Sequence, residues 1–438
     1  MGRLEDGLRV SEEAVQIYRG LAEEPLNTYR SSLAGSLTNL GIRYSNLGKL
    51  EDGLKTSKEA VQIYRELAEI QPNSYFPNLA ASLNSLGLSY TKLGRFEEAL
   101  RICQEAVHIY QKLVEVQPTS YLPDYAKALN NLGNQYSNLG KFEEALKFNE
   151  EAIEILRKLA ETQPTIYLPD FAMSLNSLGN RYSELGKFEN ALKSSKEAVE
   201  IRRKLAETQP NIYSSDLAGS LNNLGNRYGN LGKLENALET SEEAVNIYRQ
   251  LANARPNIYL SDLAGSLNNL GLRYSDLGRF RDALKVGEDA VKINRQLENA
   301  QPNAYLPNLA GSLSNLGMFY GSLGNFEDAV KISSEAIQIR RMLAEAQPNT
   351  YLVDLAGSLY NLGIYYCDLK RLKEALKAII ESISIIKFFF KTYPTIFTQD
   401  SIERLQTYFQ ILQKLEQQPD PELLRGFEPI LETLKTTT

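Results

Sequence analysis

Apolar residues recur along this chain at intervals of three and four, which places their side chains on one face of an α-helix. The pattern is clear between residues 125 and 139. Asp124 is positioned to cap the start of this segment, and Gly140 follows its end, where glycine commonly stops a helix. We therefore predict a helix here, called helix A. Its apolar or small face consists of Ala126, Leu129, Leu132, Gly133 and Tyr136.

A second stripe with the same spacing begins at Phe142 and reaches about Thr162. Pro164 blocks further helix, because proline lacks the amide hydrogen that a helix interior needs. Asp170 then takes the place that Asp124 has before helix A. The pattern predicts a longer helix B and, with helix A, a helical hairpin. The stripe of helix B consists of Phe142, Ala145, Leu146, Ala152, Ile153, Ile155 and Leu159.

The motif Leu-Gly-x-x-Tyr recurs in eight copies at a constant interval of 46 residues. The glycine after helix A keeps the same interval until Lys370 replaces it. Such self-similarity is typical of a repeat array in which each unit packs on its neighbours. The glycines of the motif are Gly41, Gly87, Gly133, Gly179, Gly225, Gly271, Gly317 and Gly363.

The motif glycine lies inside helix A, where glycine costs roughly 1 kcal/mol relative to alanine. Because all eight copies carry this cost, we expect the glycine to permit something that alanine would not. Close approach of helix B is the physical interpretation, with Ala145 and Ala152 as the small residues that face Gly133.

These residues resemble the tetratricopeptide repeat signature, in the order Leu129, Leu132, Gly133 and Tyr136, followed by Ala145 and Ala152. The resemblance covers about residues 3–397, and its long unit is similar to those of kinesin light chains and of bacterial signalling proteins. Leucine replaces the family's common tryptophan at the start of helix A. The resemblance implies an all-α fold, a right-handed α-solenoid of stacked antiparallel helix hairpins in a superhelix.

The phase of the repeat divides the chain into three parts. Residues 1–30 match a helix B and its turn without a preceding helix A, residues 31–397 contain eight repeats, and residues 398–438 form capping helices. The apolar stripe of the first helix, which includes Leu4, Leu8, Val15 and Ile17, is expected to be only partly covered. Either the chain is a fragment of a longer array, which we favour, or something else covers this face.

The net charge of −6 disfavours nucleic acid as a partner, since nucleic-acid-binding surfaces are usually basic. No apolar run is long enough to span a membrane, so we expect a cytoplasmic protein without membrane association. His108 is the only histidine, and Cys103 and Cys367 are the only cysteines. These residues give no catalytic constellation and no metal site. We therefore expect no enzymatic activity and no cofactor.

In tetratricopeptide folds one face of helix A lines a concave groove, and peptides usually bind there. Asparagines four residues apart on helix A share a face, and their amides can hydrogen-bond an extended peptide backbone. Arginines nearby can pair with acidic side chains. The alternative is that the asparagines bridge neighbouring helices A. The candidate groove residues are Asn130, Asn134, Asn176, Asn180, Asn222, Asn226, Arg181, Arg227 and Arg273.

The sequence therefore predicts a scaffold that holds a peptide or helical segment of a partner protein in its groove. In the outer repeats the second asparagine is replaced by apolar residues such as Ile42 and Leu272, which suits an amphipathic partner. One alternative is a regulatory or sensor arm of a larger signalling protein. Another is self-assembly through the N-terminal half repeat.

Overall fold

The computed structural model describes residues 2–22 and 29–436, without the side chains of residues 2–6, 395, 396, 433, 435 and 436. The described residues form twenty helices and contain no strand, which confirms the all-α prediction. They divide into two compact units, Met1–Leu231 and Gly232–Thr438. The predicted turn at residues 23–28 and the side chain of Leu4 lie outside the described residues.

The first unit contains ten helices among its described residues, and each helix B is followed by a helix A. Helices B are α1 (Gly2–Leu21), α3 (Leu50–Ile70), α5 (Phe96–Val116), α7 (Phe142–Thr162) and α9 (Phe188–Thr208). Helices A are α2 (Arg30–Asn46), α4 (Pro72–Lys92), α6 (Pro118–Asn138), α8 (Pro164–Glu184) and α10 (Pro210–Asn230).

The described part of the second unit continues the alternation and ends in two short helices. Its helices B are α11 (Leu234–Ala254), α13 (Phe280–Ala300), α15 (Phe326–Ala346) and α17 (Leu372–Thr392). Its helices A are α12 (Pro256–Asp276), α14 (Leu306–Ser322), α16 (Pro348–Asp368) and α18 (Pro394–Leu415), followed by α19 (Pro421–Leu424) and α20 (Glu428–Thr436).

Helix A of this repeat begins seven residues earlier than the sequence pattern predicts. The helix predicted to start after Asp124 starts at Pro118, and Pro123 lies within it. Pro118 fits the first helical position, because the amide there has no helical partner. Pro123 leaves the carbonyl of Thr119 without its helical hydrogen bond, but Thr119 is exposed, so water can bond to it. The predicted cap at Asp124 is therefore wrong.

The predicted end of helix A is correct. Gly140 follows the last helical residues of α6 with φ of 71°, a left-handed conformation that costs glycine little. Lys370 occupies the same place after α16 and adopts φ of 59°. The turn therefore keeps its geometry in the repeat where the sequence departs from glycine.

The motif glycine brings the two helices of a hairpin into contact. A Cβ atom on Gly133 would lie 3.0 Å from the carbonyl oxygen of Ala145 and 2.9 Å from the Asn149 side chain. The predicted close approach of helix B is thus present, with Asn149 instead of Ala152 at the contact. The helices run antiparallel, since Gly41 contacts Gly53 while Tyr64 near the other end donates to the Ser31 carbonyl at 3.2 Å.

Side-chain ladders connect consecutive repeats within each unit. The tyrosine of the Leu-Gly-x-x-Tyr motif donates to a glutamate on the preceding helix B, as Tyr182 does to Glu150 and Tyr274 does to Glu242, both at 2.8 Å. Successive helices B are joined by arginine–glutamate pairs 40 residues apart, such as Arg157 and Glu197 at 2.8 Å. These pairs are partly exposed, so each contributes at most about 1 kcal/mol.

The two ends of the described structure differ in how well they are covered. On α1, Leu8 and Val15 are buried, whereas Ile17 is 62% exposed. At the other end, Phe427 is buried against Phe390, and the Tyr408 hydroxyl accepts a hydrogen bond of 3.0 Å from the Asp420 amide. Polar residues of α18 and of the segment after it are exposed, namely Gln410, Gln413, Lys414, Glu416, Gln417 and Gln418.

Candidate protein-binding surface

The first asparagine column forms a ladder between consecutive helices A. The Asn130 amide donates to the Ser174 hydroxyl at 2.5 Å, and the Asn176 amide donates to the Ser220 hydroxyl at 2.7 Å. Asn130 is 7% exposed and Asn176 is 9% exposed. Both are therefore part of the packing between repeats, as in the alternative that the asparagines bridge neighbouring helices A, and their place on a peptide-binding surface stays a prediction. Buried amides need internal partners, which the serine of the next repeat provides.

The other predicted asparagines are partly buried. Asn180 accepts a hydrogen bond from Arg227 of the next helix A. Asn134, Asn222 and Asn226 are half-buried. Their role in a groove stays a prediction.

Two of the three predicted arginines are buried. Arg181 lies 3.0 Å from Glu184, and Arg227 donates to Asn180. Burial lowers the pKa of both guanidinium groups, because desolvation disfavours the charged form. Arg273 is less buried and pairs with Asp276 at 3.2 Å. The side chains of Arg181 and Arg227 are thus buried in the packing between repeats, and their role in a groove stays a prediction.

Three partly exposed asparagines of the second unit belong to a neighbouring column that the sequence interpretation missed. Asn269, Asn315 and Asn361 lie one residue after the ladder position, on α12, α14 and α16. Their side chains are half-exposed, and no hydrogen bond joins any of them to another described residue. The sequence signal was the asparagine that precedes Leu-Gly in these three helices, but the sequence does not say which of two adjacent residues faces outwards.

Glycines lie one helical turn before these asparagines. Gly265, Gly311 and Gly357 are inside their helices, and no described atom lies within 4 Å of a Cβ atom built on any of them. Unlike Gly271 or Gly317, these three glycines are not required by contacts with the described residues. Each nevertheless carries the cost of glycine in a helix, about 1 kcal/mol.

An apolar residue lies three positions after the asparagine in each of the three helices, on the same face. Leu272, Met318 and Ile364 are half-exposed. The three rows together form one partly exposed stripe per helix, and we call this surface the A face of the second unit. It consists of Gly265, Asn269, Leu272, Gly311, Asn315, Met318, Gly357, Asn361 and Ile364.

The helices that form this surface are acidic. Helices α12, α14 and α16 contain four aspartates and one arginine, Arg273, which is itself paired with Asp276. Asp262 and Asp354 each lie three residues before a glycine of the A face and are exposed. Partial burial of its carboxylate raises the pKa of Asp262, and no described cation forms an ion pair with it.

His108, Cys103 and Cys367 are the histidine and the cysteines of the chain, the residue types whose chemistry bears most directly on catalysis. His108 is exposed, and Cys103 is buried, which raises the pKa of its thiol to about 12. No group of three or more histidine, cysteine, aspartate or glutamate side chains within the described chain is placed to hold a metal ion. Among those residues no helix combines the length and apolar character needed to cross a membrane.

The tetratricopeptide repeat family matches the chain in seven segments. These segments are residues 33–73, 78–158, 171–210, 217–256, 263–302, 309–347 and 355–387. Together they cover more than half of the 438 residues. The chain belongs to the tetratricopeptide repeat family. The family expected from the Leu-Gly-x-x-Tyr motif is thus confirmed.

Several solved structures are similar to this chain. Aspartyl phosphate phosphatase F from Bacillus subtilis is 15% identical, and the match covers 87% of this chain and 89% of that chain with a TM-score of 0.53. The apo form of RapI is also 15% identical, with 71% and 99% covered and a TM-score of 0.51. BtubC (BKLC) from P. vanneervenii is 23% identical, with 56% and 90% covered and a TM-score of 0.45.

The first two structures establish stacked helix pairs as the shared fold at this low identity. A comparison with curated protein sequences returned no match. Tetratricopeptide repeat proteins act in protein–protein interaction, and membership of the family gives this chain that general role. The A face of the second unit is a partly exposed surface on its tetratricopeptide helices A.

Proposed function

We propose that this tetratricopeptide repeat protein is an interaction scaffold that holds an extended segment of a partner protein against the A face of the second unit. The observation that carries the proposal is the row of partly exposed asparagines, Asn269, Asn315 and Asn361, whose amides have no hydrogen bond to another described residue and lie next to helix glycines with open space above them.

The amides match the chemistry of a peptide backbone. An asparagine side chain offers two donor hydrogens and an acceptor oxygen, so one amide can pair with both the N–H and the C=O of a peptide unit. Because the three amides have no hydrogen bond to other described residues, binding does not disrupt the fold.

The glycines allow the partner to come close. With no side chain at Gly265, Gly311 and Gly357, a backbone can lie directly on helix A beside the asparagine row. Leu272, Met318 and Ile364 provide apolar contacts on the opposite side of that row. The geometry therefore favours an extended segment over a bulky helix.

The experiment is a partner pull-down with two matched triple variants. Asn269→Ala, Asn315→Ala and Asn361→Ala together remove the amide row, whereas Gln296→Ala, Asn299→Ala and Gln338→Ala remove three exposed amides from helices B of the same unit. We expect the first variant to lose the proteins that the wild type recovers and the second to retain them. Equal recovery by both variants would remove the A face from the interaction.

Self-association through α1 is a second candidate, favoured by one observation. Ile17 is 62% exposed, whereas Ile63 and Ile109 at the same repeat position are 8% and 7% exposed. A second copy that covered Ile17 would bury an apolar side chain. Light scattering across a range of concentrations tests this, with Ile17→Ser expected to shift a dimer to monomer. A constant monomer mass for the wild type would reject it.

A further inference from the structure

The charge of helices A differs between the two units. In the first unit α2 and α4 carry three basic residues and no acidic one, Arg30, Arg43 and Lys92. In the second unit α12, α14 and α16 carry four aspartates against one arginine, a formal charge of −3. None of the described residues that make up the A face of the second unit is a lysine or an arginine.

One repeat of the first unit shows how a lysine occupies this surface. Lys127 of α6 holds its Nζ atom 3.1 Å from Oδ2 of Asp170 on α8, the next helix A. Lys127 takes the repeat position that glycine has in α12, α14 and α16. An ammonium group above this position therefore reaches the aspartate of the following helix.

The second unit has the same carboxylate without the lysine. Gly311 occupies the position of Lys127, and Asp354 occupies the position of Asp170, both four repeats further along the chain. Arg340 donates to the main-chain carbonyl of Asp354, not to its carboxylate. Arg340 also interacts electrostatically with the Asp354 carboxylate, but neither Asp354 nor Asp262 forms a direct ion pair with a described cation.

We infer that the segment bound on the A face of the second unit is basic and that a lysine or arginine side chain of the partner fills the space above Gly311 and pairs with Asp354. This inference rests on the proposed function and adds the chemistry of the partner. The partner's cation would form an ion pair with Asp354 between molecules, as Lys127 does with Asp170 within the chain.

The geometry sets the spacing of the basic residues. Neighbouring packed helices are about 8–10 Å apart, and an extended chain advances about 3.3 Å per residue. A basic residue at every third position therefore meets successive repeats. The probe is a fluorescein-labelled peptide of about twelve residues in which Ser-Ser-Lys is repeated, compared with the same peptide carrying glutamine or glutamate in place of lysine.

Fluorescence anisotropy at about 150 mM salt measures binding of the three peptides to the full chain. We expect the lysine peptide to bind more tightly than the glutamine peptide, and the glutamate peptide to bind least. Asp354→Asn and Gly311→Lys should each weaken binding of the lysine peptide about 3–10-fold, because the first removes the carboxylate and the second pairs with it inside the chain. Asp289→Asn, the same charge change on helix B, should alter binding less than about 2-fold.

A reciprocal variant tests the role of the intramolecular lysine. Lys127→Ala frees Asp170 and opens the space above α6, so it should strengthen binding of the lysine peptide. No gain from Lys127→Ala, or an equal loss from Asp354→Asn and Asp289→Asn, would overturn the inference.

The proposed function and the inference fail in different ways. If lysine and glutamine peptides bind alike and the triple asparagine variant weakens both, the A face binds a segment but its preference for basic residues is wrong. If neither the asparagine nor the aspartate variants affect any peptide, both proposals are wrong.

Discussion

Tyr182 on α8 donates a hydrogen bond of 2.8 Å to Glu150 on α7, and this contact recurs between repeats as Tyr44 with Glu12, Tyr274 with Glu242 and Tyr320 with Glu288. The tyrosine belongs to the Leu-Gly-x-x-Tyr motif, and the glutamate lies on the helix B before it. The motif tyrosine therefore stabilises the contact between repeats as well as packing within its own hairpin.

The tyrosine–glutamate contact predicts a loss of stability in alkali. Burial, followed by the hydrogen bond to Glu150, raises the pKa of Tyr182 to about 12, and Tyr44 and Tyr274 behave alike. A raised pKa favours the protonated folded form, so the stabilisation is present below the unfolded pKa of about 10 and is lost as pH rises towards 12. Urea midpoints measured at about pH 8, 10 and 11.5 should fall over this window.

Tyr182→Phe isolates one of these contacts. It should lower the free energy of unfolding by about 0.5–1.5 kcal/mol near pH 8, because Glu150 loses its donor. The variant should also lose less stability than the wild type between about pH 10 and 12. A parallel alkaline decline in both proteins would show that this hydrogen bond does not cause the pH dependence.

Alanine substitution of two glycines in α12 is predicted to change the free energy of unfolding in opposite directions. Gly265 has no described atom near its Cβ position, so Gly265→Ala should stabilise the chain by up to about 1 kcal/mol. A Cβ atom on Gly271 would lie 2.8 Å from the buried ring of Phe319, so Gly271→Ala should destabilise it by about 1–3 kcal/mol. Urea unfolding followed by circular dichroism measures both, and equal shifts would contradict the prediction.

Replacing a buried asparagine by alanine should cost more stability than replacing a partly exposed one. Asn176→Ala removes the donor to Ser220, which is fully buried, and should cost about 1–3 kcal/mol. Asn269→Ala lies on the A face and should change stability by no more than about 0.5 kcal/mol. Similar losses in the two variants would mean that Asn269 also serves the fold.

The two thiols should react at different rates. Cys103 is 1% exposed, and burial raises the pKa of its thiol, so it should resist labelling by a water-soluble disulfide reagent in the folded protein. Cys367 is half-exposed and should react first, although burial raises the pKa of its thiol too. In the Cys367→Ser variant the remaining thiol, Cys103, should be labelled only when the protein unfolds. Rapid labelling of the folded variant would show that α5 opens readily.

The sequence correctly predicted the helices, their pairing and the C-terminal end of helix A. The spacing of Leu132, Gly133 and Tyr136 identified helix A, and Gly140 marked its end. It misplaced the start of helix A, because Asp124 has the chemistry of a cap and Pro123 that of a helix breaker. The helix nevertheless extends back to Pro118, where Tyr121 of its first turn packs against the core of the first unit.

What the sequence determined by itself is periodicity: a stride of 46 residues and a helical hairpin in each stride, since apolar spacing and glycine placement are local properties of the chain. Which asparagine faces outwards was decided only by the tertiary structure. Adjacent residues on a helix point about 100° apart. The next helix A covers Asn176 but leaves the neighbouring column, to which Asn269 belongs, partly exposed. Only the packing of neighbouring repeats fixes which side of a helix is covered.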